Sequence, residues 1–99
     1  MPFEFIKQNI DLGKPIVAGI SYTRRQYYGG AEHAVLITGY DHNTSGTYVI
    51  INDPFPYNSN NPYLIEGGIR INNNQYKVSL RNFTERIFWH WSLSQINIQ

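Results

Sequence analysis

Two side chains that could work together on a proton, His33 and Asp53, stand twenty residues apart in the sequence. Histidine is the side chain that changes charge near neutral pH, so it can serve as a general base and then as an acid. A carboxylate that accepts the ring N–H orients the imidazole and fixes its tautomer. This pair of residue types therefore fits the base half of a nucleophilic site, if folding brings the two together.

The stretch from residue 32 to residue 54, EHAVLITGYDHNTSGTYVIINDP, predicts the β-hairpin that would position both groups. Its two strands, His33–Tyr40 and Thr47–Asp53, are rich in Val, Ile, Leu, Thr and Tyr, which favour a pleated sheet. The connection, Asp41–Gly46, consists almost entirely of turn-forming residues. We therefore place His33 at the start of one strand and Asp53 at the end of its partner.

The register of this hairpin decides which residue faces His33. Side chains alternate between the two faces of a strand, and directly opposed residues of an antiparallel pair have a constant index sum. An even sum near 86 or 88 puts His33 and Asp53 on one face at the open end. An odd sum puts Asn52 beside His33 instead, because a one-residue slip exchanges the faces. Asn52 is accordingly the fallback orienting residue.

The remaining segments predict an α+β domain with one N-terminal helix and a mostly antiparallel, five- to six-stranded open sheet or half-barrel. Leu80–Phe88 fits a short helical turn that Ser79 caps, with Phe83 and Ile87 facing inward. The other predicted elements are a helix at Met1–Gly13, a strand at Ile16–Tyr22, a loop at Thr23–Ala31, a short strand within Leu64–Ile71 broken by Gly67-Gly68, a turn at Asn72–Asn74, and strands at Gln75–Ser79 and Trp89–Ile98.

Length and composition limit the function classes open to the chain. Its 99 residues fit one small domain, residues 1–99, and a net charge of +1 indicates neither nucleic-acid nor membrane-surface binding. No apolar run approaches the roughly 20 residues of a membrane span, and no signal peptide opens the sequence, which favours a cytoplasmic location. The chain contains no cysteine, so disulfides, thiolate zinc sites and a cysteine nucleophile within it are excluded.

The other histidines do not indicate a metal site. His33, His42 and Asp41 lack the spacing of zinc ligands, and three or four ligands would have to converge. His33 and His42 would also lie roughly 30 Å apart along one strand, at about 3.3 Å per residue. We therefore expect neither a metal nor an organic cofactor.

The order of these segments resembles the C-terminal half of papain-like cysteine peptidases. The strand PIVAGISY, a Gly-rich loop, the strand HAVLITGYD, a short turn and then YVIINDPFP carry the resemblance, most strongly over Gly13–Pro56. It is closest to the bacterial branch of staphopain-like and effector proteases and of bacteriocin leader peptidases. The resemblance implies that His33 is the catalytic histidine and that Asp53 orients it. It also implies peptide-bond hydrolysis on a papain-like β half.

One departure from that family is decisive for function. The nucleophilic cysteine, and the glutamine that stabilises the oxyanion, belong to an N-terminal helical half that this chain lacks. The chain could be a fragment of a longer peptidase, a degenerate domain that became a binding module, or half of a split enzyme. A peptide or protein substrate is expected only with a Cys-bearing half. A half-domain with an uncovered face is expected either to form a homodimer or to be poorly soluble.

Loop aromatics offer a non-catalytic alternative. Tyr27, Tyr28, Phe55, Tyr57 and Tyr63 fall in predicted loops, where they could line a substrate groove, face a second half or bind a partner protein. The sequence leaves these roles open. The competing hypothesis is therefore a protein-interaction module derived from the peptidase fold.

Overall fold

The structure is a computed structural model that describes residues 3–20, 33–57, 59–87 and 94–95. The predicted loop Thr23–Ala31 lies outside the described residues. Of the predicted final strand Trp89–Ile98, the backbone of Ser94–Gln95 is described, and it forms a two-residue strand.

A single antiparallel sheet of six strands organises the part of the chain that the structure describes, with the strand order β4-β5-β3-β2-β1-β6. The predicted hairpin, now β2 and β3, lies at its centre. The N-terminal helix and the open sheet confirm the predicted α+β class. In chain order the elements are α1 (Phe3–Asp11), β1 (Ile16–Ile20), β2 (His33–Asn43), β3 (Gly46–Asn52), α2 (Pro62–Ile65), β4 (Ile69–Asn72), β5 (Gln75–Ser79), α3 (Leu80–Asn82), a π-helical turn (Phe83–Ile87) and β6 (Ser94–Gln95).

The first strand of the central hairpin is longer than the sequence predicts, and the turn is tighter. β2 continues to Asn43 and β3 begins at Gly46. The Asn43 side chain closes the turn, because its Oδ1 accepts both the backbone N–H of Ser45 at 2.8 Å and the Ser45 hydroxyl at 2.5 Å. Because this Asx turn reverses the chain within two residues, the ladder continues as far as the pair Asn43 and Gly46.

The segment after the hairpin contains a short helix that the sequence did not predict. A strand was expected within Leu64–Ile71, but Pro62–Ile65 forms the short helix α2 and only Ile69–Asn72 pairs as β4. The reason is a local cap: Asn61 Oδ1 accepts the N–H groups of two residues in the first helical turn, and Pro62 suits the first helical position. The predicted short strand is therefore present at Ile69–Asn72, and the helix α2 that precedes it was not predicted.

The helical turn predicted after β5 is present. Ser79 Oγ accepts the backbone N–H of Asn82 at 3.0 Å, as an N-cap should. Phe83 and Ile87 face inward and are fully buried, as expected from their spacing. No helix among the described ranges is long and apolar enough to cross a membrane.

The hydrophobic core lies on one face of the sheet, where α1, α2 and the π-helical turn cover it. Alternate residues of β1, β2, β3 and β5 share this face because the strands pair in register. The opposite face carries half-buried and exposed side chains. Among the described residues, the buried apolar side chains are Ile6, Ile16, Ala18, Ile20, Val35, Ile37, Val49, Ile51, Tyr63, Tyr76, Val78, Phe83 and Ile87.

Candidate active site

The open end of the β2–β3 hairpin brings His33 and Asp53 together. His33 is the first residue of β2, and Asp53 directly follows the last residue of β3. The two pairs nearest this end, Leu36 with Asn52 and Ile37 with Ile51, have an index sum of 88. This even register puts both candidate residues on the core face, as diagonal neighbours.

A β-bulge makes the register change partway along the hairpin. Between Ile37 and Gly39 the pairing shifts, so that Gly39 opposes Ile50 and the index sum becomes odd. A bulge adds one unpaired residue to one strand and rotates the strand beyond it. The bulge lies on the turn side of the candidate site, and the even register at the open end is therefore preserved.

The fallback residue Asn52 lies on the opposite face of the sheet from His33. Its Oδ1 accepts a hydrogen bond from Gln75 Nε2 at 3.0 Å, and the Thr38 hydroxyl approaches at 3.5 Å. Gln75 is its direct partner across the β3–β5 pair. The odd register that would have aimed Asn52 at His33 does not occur at this end.

His33 and Asp53 are in direct contact. Nε2 of His33 lies 2.7 Å from Oδ1 of Asp53, a distance typical of a charge-assisted hydrogen bond. The His33 side chain is 19% exposed and the Asp53 side chain is 0% exposed. The imidazole therefore lies between a buried carboxylate and the molecular surface.

Asp53 has hydrogen-bond donors on both carboxylate oxygens. Oδ1 also accepts the backbone N–H of Phe55 at 3.0 Å. Oδ2 accepts the hydroxyl groups of Tyr57 and Tyr63, each at 2.7 Å. The backbone is fixed as well, because Asp53 N–H donates to the carbonyl of Asn74 at 2.8 Å.

These contacts set the charge of Asp53. Burial raises the pKa of the carboxyl group, but hydrogen bonds from His33, Tyr63, Tyr57 and the backbone of Phe55 together outweigh it, and they hold the pKa below its ordinary value. Asp53 is therefore an anion at neutral pH, and an anion can only accept hydrogen bonds. It follows that His33 Nε2 carries the proton in this contact.

Aromatic rings surround the pair on the side of residues 55–63. The Phe55 ring meets the His33 ring edge to face at a centroid distance of 5.6 Å, and Tyr57 lies 4.7 Å from Phe55. Tyr63 is fully buried and stacks on Tyr76 at 4.6 Å. From the sequence, Tyr57 and Tyr63 were aromatic residues of predicted loops whose role was left open. No periodicity connects them to Asp53, which lies four and ten residues earlier.

Local backbone features explain how Tyr63 reaches Asp53. Tyr63 is in the first turn of α2, and its N–H donates to the capping side chain of Asn61 at 2.9 Å. Its carbonyl accepts the N–H of Gly68 at 2.7 Å. A Cβ at Gly68 would lie 2.8 Å from that carbonyl and 2.8 Å from the carbonyl of Lys77, so only glycine fits there.

The other histidine that the structure describes, His42, lies near the tip of the hairpin. Nδ1 of His42 lies 2.6 Å from Oγ1 of Thr47, its partner across the ladder, and the ring packs against Phe3 at a centroid distance of 5.0 Å. His90 lies outside the described residues. Within the described ranges no three His, Asp or Glu side chains converge as metal ligands do.

An open cleft of about 540 Å³ adjoins the candidate site on the opposite face of the hairpin. Ala34 follows His33 in β2, and Pro54 follows Asp53, so the cleft begins at the residues next to the pair. Its walls combine apolar side chains with amides. They include Val17, Ala34, Leu36, Asn52, Pro54 and Gln75.

Comparison with known proteins connects this arrangement to one family. Residues 1–84 match the sequence model of the Peptidase_C39 like family, which covers every described element from α1 to α3. No curated protein and no solved structure matches the chain significantly. The resemblance to papain-like cysteine peptidases is thereby confirmed at the level of the family. With its α+β fold and its match over most of its length, the chain belongs to the Peptidase_C39 like family, a papain-like cysteine peptidase-related domain.

Proposed function

We propose that this chain supplies the base half of a thiol-dependent peptidase site, in which His33 is the general base and acid and Asp53 orients it. The observation that carries the proposal is the 2.7 Å contact between Nε2 of His33 and a fully buried Asp53 carboxylate. A structural histidine at a strand end needs no buried anion, and burying an anion is costly unless it is well paired. Here four donors pair the anion, and one of them is the partly exposed His33 ring, so the pair combines a fixed buried charge with a base at the molecular surface.

In this proposal each nitrogen of the His33 ring has a separate task. Because Asp53 holds the proton on Nε2, the lone pair of the neutral imidazole is on Nδ1. A thiol that approaches this nitrogen can transfer its proton to it. The resulting imidazolium is stabilised by the Asp53 anion, so the carboxylate promotes formation of the thiolate without itself taking the proton.

The reaction that follows from this assignment has two halves. The thiolate attacks the scissile carbonyl carbon, the tetrahedral intermediate breaks its C–N bond, and the proton on Nδ1 passes to the leaving amine. A water molecule then gives a proton to Nδ1 as it attacks the thioester. The acid product leaves, and the thiol recovers its proton.

The nucleophile in this proposal comes from outside these 99 residues, which contain no cysteine. Residues 1–99 then form the β half of a papain-like peptidase. The Cys-bearing helical half, with the glutamine that stabilises the oxyanion, belongs either to the same longer polypeptide or to a partner chain.

A non-catalytic interaction module is the second candidate function. Four aliphatic side chains on α2 and β4 favour it, because each remains at least two-fifths exposed: Leu64 at 42%, Ile65 at 41%, Ile69 at 59% and Ile71 at 47%. Exposed apolar side chains on neighbouring elements are typical of a binding surface. Tyr57 contributes less to such a surface, because its hydroxyl is bound to Asp53.

The test is made on the native protein in its own cells. An antibody to this chain gives the mass of the native polypeptide by blotting, and it purifies the assembly for an assay with a quenched fluorescent peptide library. We expect thiol-dependent hydrolysis that is lost on His33→Ala. His42→Ala is the matched control, because His42 lies on the same strand away from Asp53.

The two functions predict different outcomes. Hydrolysis that disappears in His33→Ala and persists in His42→Ala supports the peptidase, whatever the mass of the polypeptide. A polypeptide of 11.5 kDa without associated hydrolysis, or activity that is equal in both variants, contradicts it. In that case a search for a bound partner protein follows.

A further inference from the structure

We propose that Tyr57 and Tyr63 are positioning residues, which together hold the Asp53 carboxylate in the orientation and charge state that His33 requires. The inference rests on the proposed function, because it assigns roles within the same site. It goes beyond that function because it adds two residues to the site and states that they act through the Asp53 carboxylate.

The two oxygens of the Asp53 carboxylate have different hydrogen-bond partners. Both tyrosine hydroxyls donate to Oδ2, at 2.7 Å each. Oδ1 faces His33 at 2.7 Å and accepts the backbone N–H of Phe55 at 3.0 Å. Rotation of the carboxyl group about its Cβ–Cγ bond would break all of these contacts at once, so Oδ1 is kept aimed at the imidazole.

The two hydroxyls also determine where the proton rests. Asp53 is fully buried, and in a water-poor setting an imidazolium and a carboxylate can lower their energy by becoming a neutral pair. Neutral donors to Oδ2 stabilise the anion whether or not His33 is protonated. The proton taken from a thiol therefore stays on the ring, where the leaving amine can receive it.

The two tyrosines are supported in different ways. Tyr63 is fully buried, stacks nearly parallel on Tyr76 with an interplanar angle of 13°, and belongs to the capped helix α2. Tyr57 is half-buried in an irregular segment and packs against Phe55 at 4.7 Å. Tyr63 is thus a fixed inner donor, and Tyr57 is an outer donor whose replacement disturbs the core less.

The experiment is an NMR titration of the Asp53 carboxyl carbon in the full chain, in Tyr57→Phe, Tyr63→Phe and the double variant. Each substitution removes one donor to the anion, and we expect the proton-binding constant of Asp53 to increase by about tenfold for each hydroxyl removed. Tyr76→Phe is the matched control. Tyr76 is buried and stacks on Tyr63, whereas the two tyrosine hydroxyls that donate to Asp53 belong to Tyr57 and Tyr63. Its replacement therefore changes the packing but leaves both donors in place.

Two results would overturn the inference. One is an unchanged proton-binding constant in the double variant, and the other is an equal change in Tyr76→Phe, which would indicate a general packing effect. Should Tyr63→Phe not fold, the half-buried Tyr57→Phe decides the question. The titration requires neither a thiol nor a substrate, so its failure is distinguishable from a failure of the peptidase proposal.

Discussion

His33 and Asp53 meet across the open end of the β2–β3 hairpin, with Nε2 and Oδ1 2.7 Å apart, although neither residue directly opposes the other in the ladder. The contact is diagonal and exists because the strand register near this end is even. Pro54 follows directly and has no N–H to donate, so the β2–β3 ladder ends beside the buried Asp53 carboxylate. The strands thus set the relative position of the two side chains through their backbones.

The first prediction concerns the proton between these two residues. In the intact chain the Nε2–H proton of His33 is expected as a downfield NMR signal that exchanges slowly with water, because it is bound to a buried anion. Asp53→Ala should remove the signal. Asp41→Ala is the control, since Asp41 is a surface carboxylate of the same hairpin that pairs with Lys77. A signal that survives Asp53→Ala would show that the contact does not hold the proton.

The second prediction concerns stability in acid. The pKa of Asp53 is lower in the folded chain than its ordinary value of 3.8, despite burial, because hydrogen bonds from His33, Tyr63, Tyr57 and Phe55 N–H favour the anion. Its stabilising contribution is therefore fully present above pH 3.8 and is lost as the pH falls through the folded-state pKa. Urea unfolding at several pH values measures this dependence.

Asp53→Asn removes the titrating group and serves as the comparison. We expect the variant to lose about 1–3 kcal/mol of unfolding free energy at neutral pH and to show a flatter decline in acid. Parallel curves for the two proteins would contradict the assignment of a depressed pKa to Asp53.

The third prediction concerns the backbone contact behind Tyr63. Gly68→Ala places a methyl group 2.8 Å from the carbonyls of Tyr63 and Lys77, neither of which can move freely, and we expect a loss of about 1–3 kcal/mol in unfolding free energy. Gly39→Ala is the control, because the nearest atom to its Cβ would be Cγ1 of the Ile50 side chain at 3.2 Å, which is more distant than the two carbonyls and is not backbone. Equal losses for the two variants would show that the close approach at Gly68 is unimportant.

The fourth prediction separates helix capping from site geometry. Asn61→Ala removes the N-cap of α2, which carries Tyr63, and should cost about 1 kcal/mol. It should also raise the pKa of Asp53, since a displaced Tyr63 no longer donates to the anion. Ser79→Ala removes a comparable cap at α3. If Ser79→Ala alters the titration of Asp53 as much as Asn61→Ala does, the connection through Tyr63 is refuted.

The sequence was sufficient for the parts of the site that depend on strand periodicity. Alternating apolar residues and a polar turn identified the hairpin, and alternation alone placed His33 and Asp53 on one face if the register was even. The bulge near Thr38 was not predicted, although Gly39, a glycine in the interior of the predicted strand, is the kind of residue that marks one. The catalytic roles of the two residues stay a prediction.

The sequence was insufficient for contacts that tertiary packing creates. The sequence predicted a short strand within Leu64–Ile71, which is present as β4, but it did not predict the helix that the cap at Asn61 and Pro62 starts before it. That helix is what carries Tyr63 to Asp53. Tyr57 and Tyr63 were noticed as aromatics, but their hydroxyl contacts depend on a loop path that local sequence does not specify.

The central claim is that His33 and Asp53 activate a thiol supplied from outside this chain. The native assembly is purified with an antibody to this chain. The measurement that tests the claim most directly is the rate, at several pH values, at which an epoxide-bearing peptide alkylates a cysteine in that assembly. We predict a labelled cysteine in that assembly whose rapid alkylation near neutral pH is lost in His33→Ala and retained in His42→Ala. An assembly without an alkylated cysteine, or one labelled equally fast in His33→Ala, would contradict the claim.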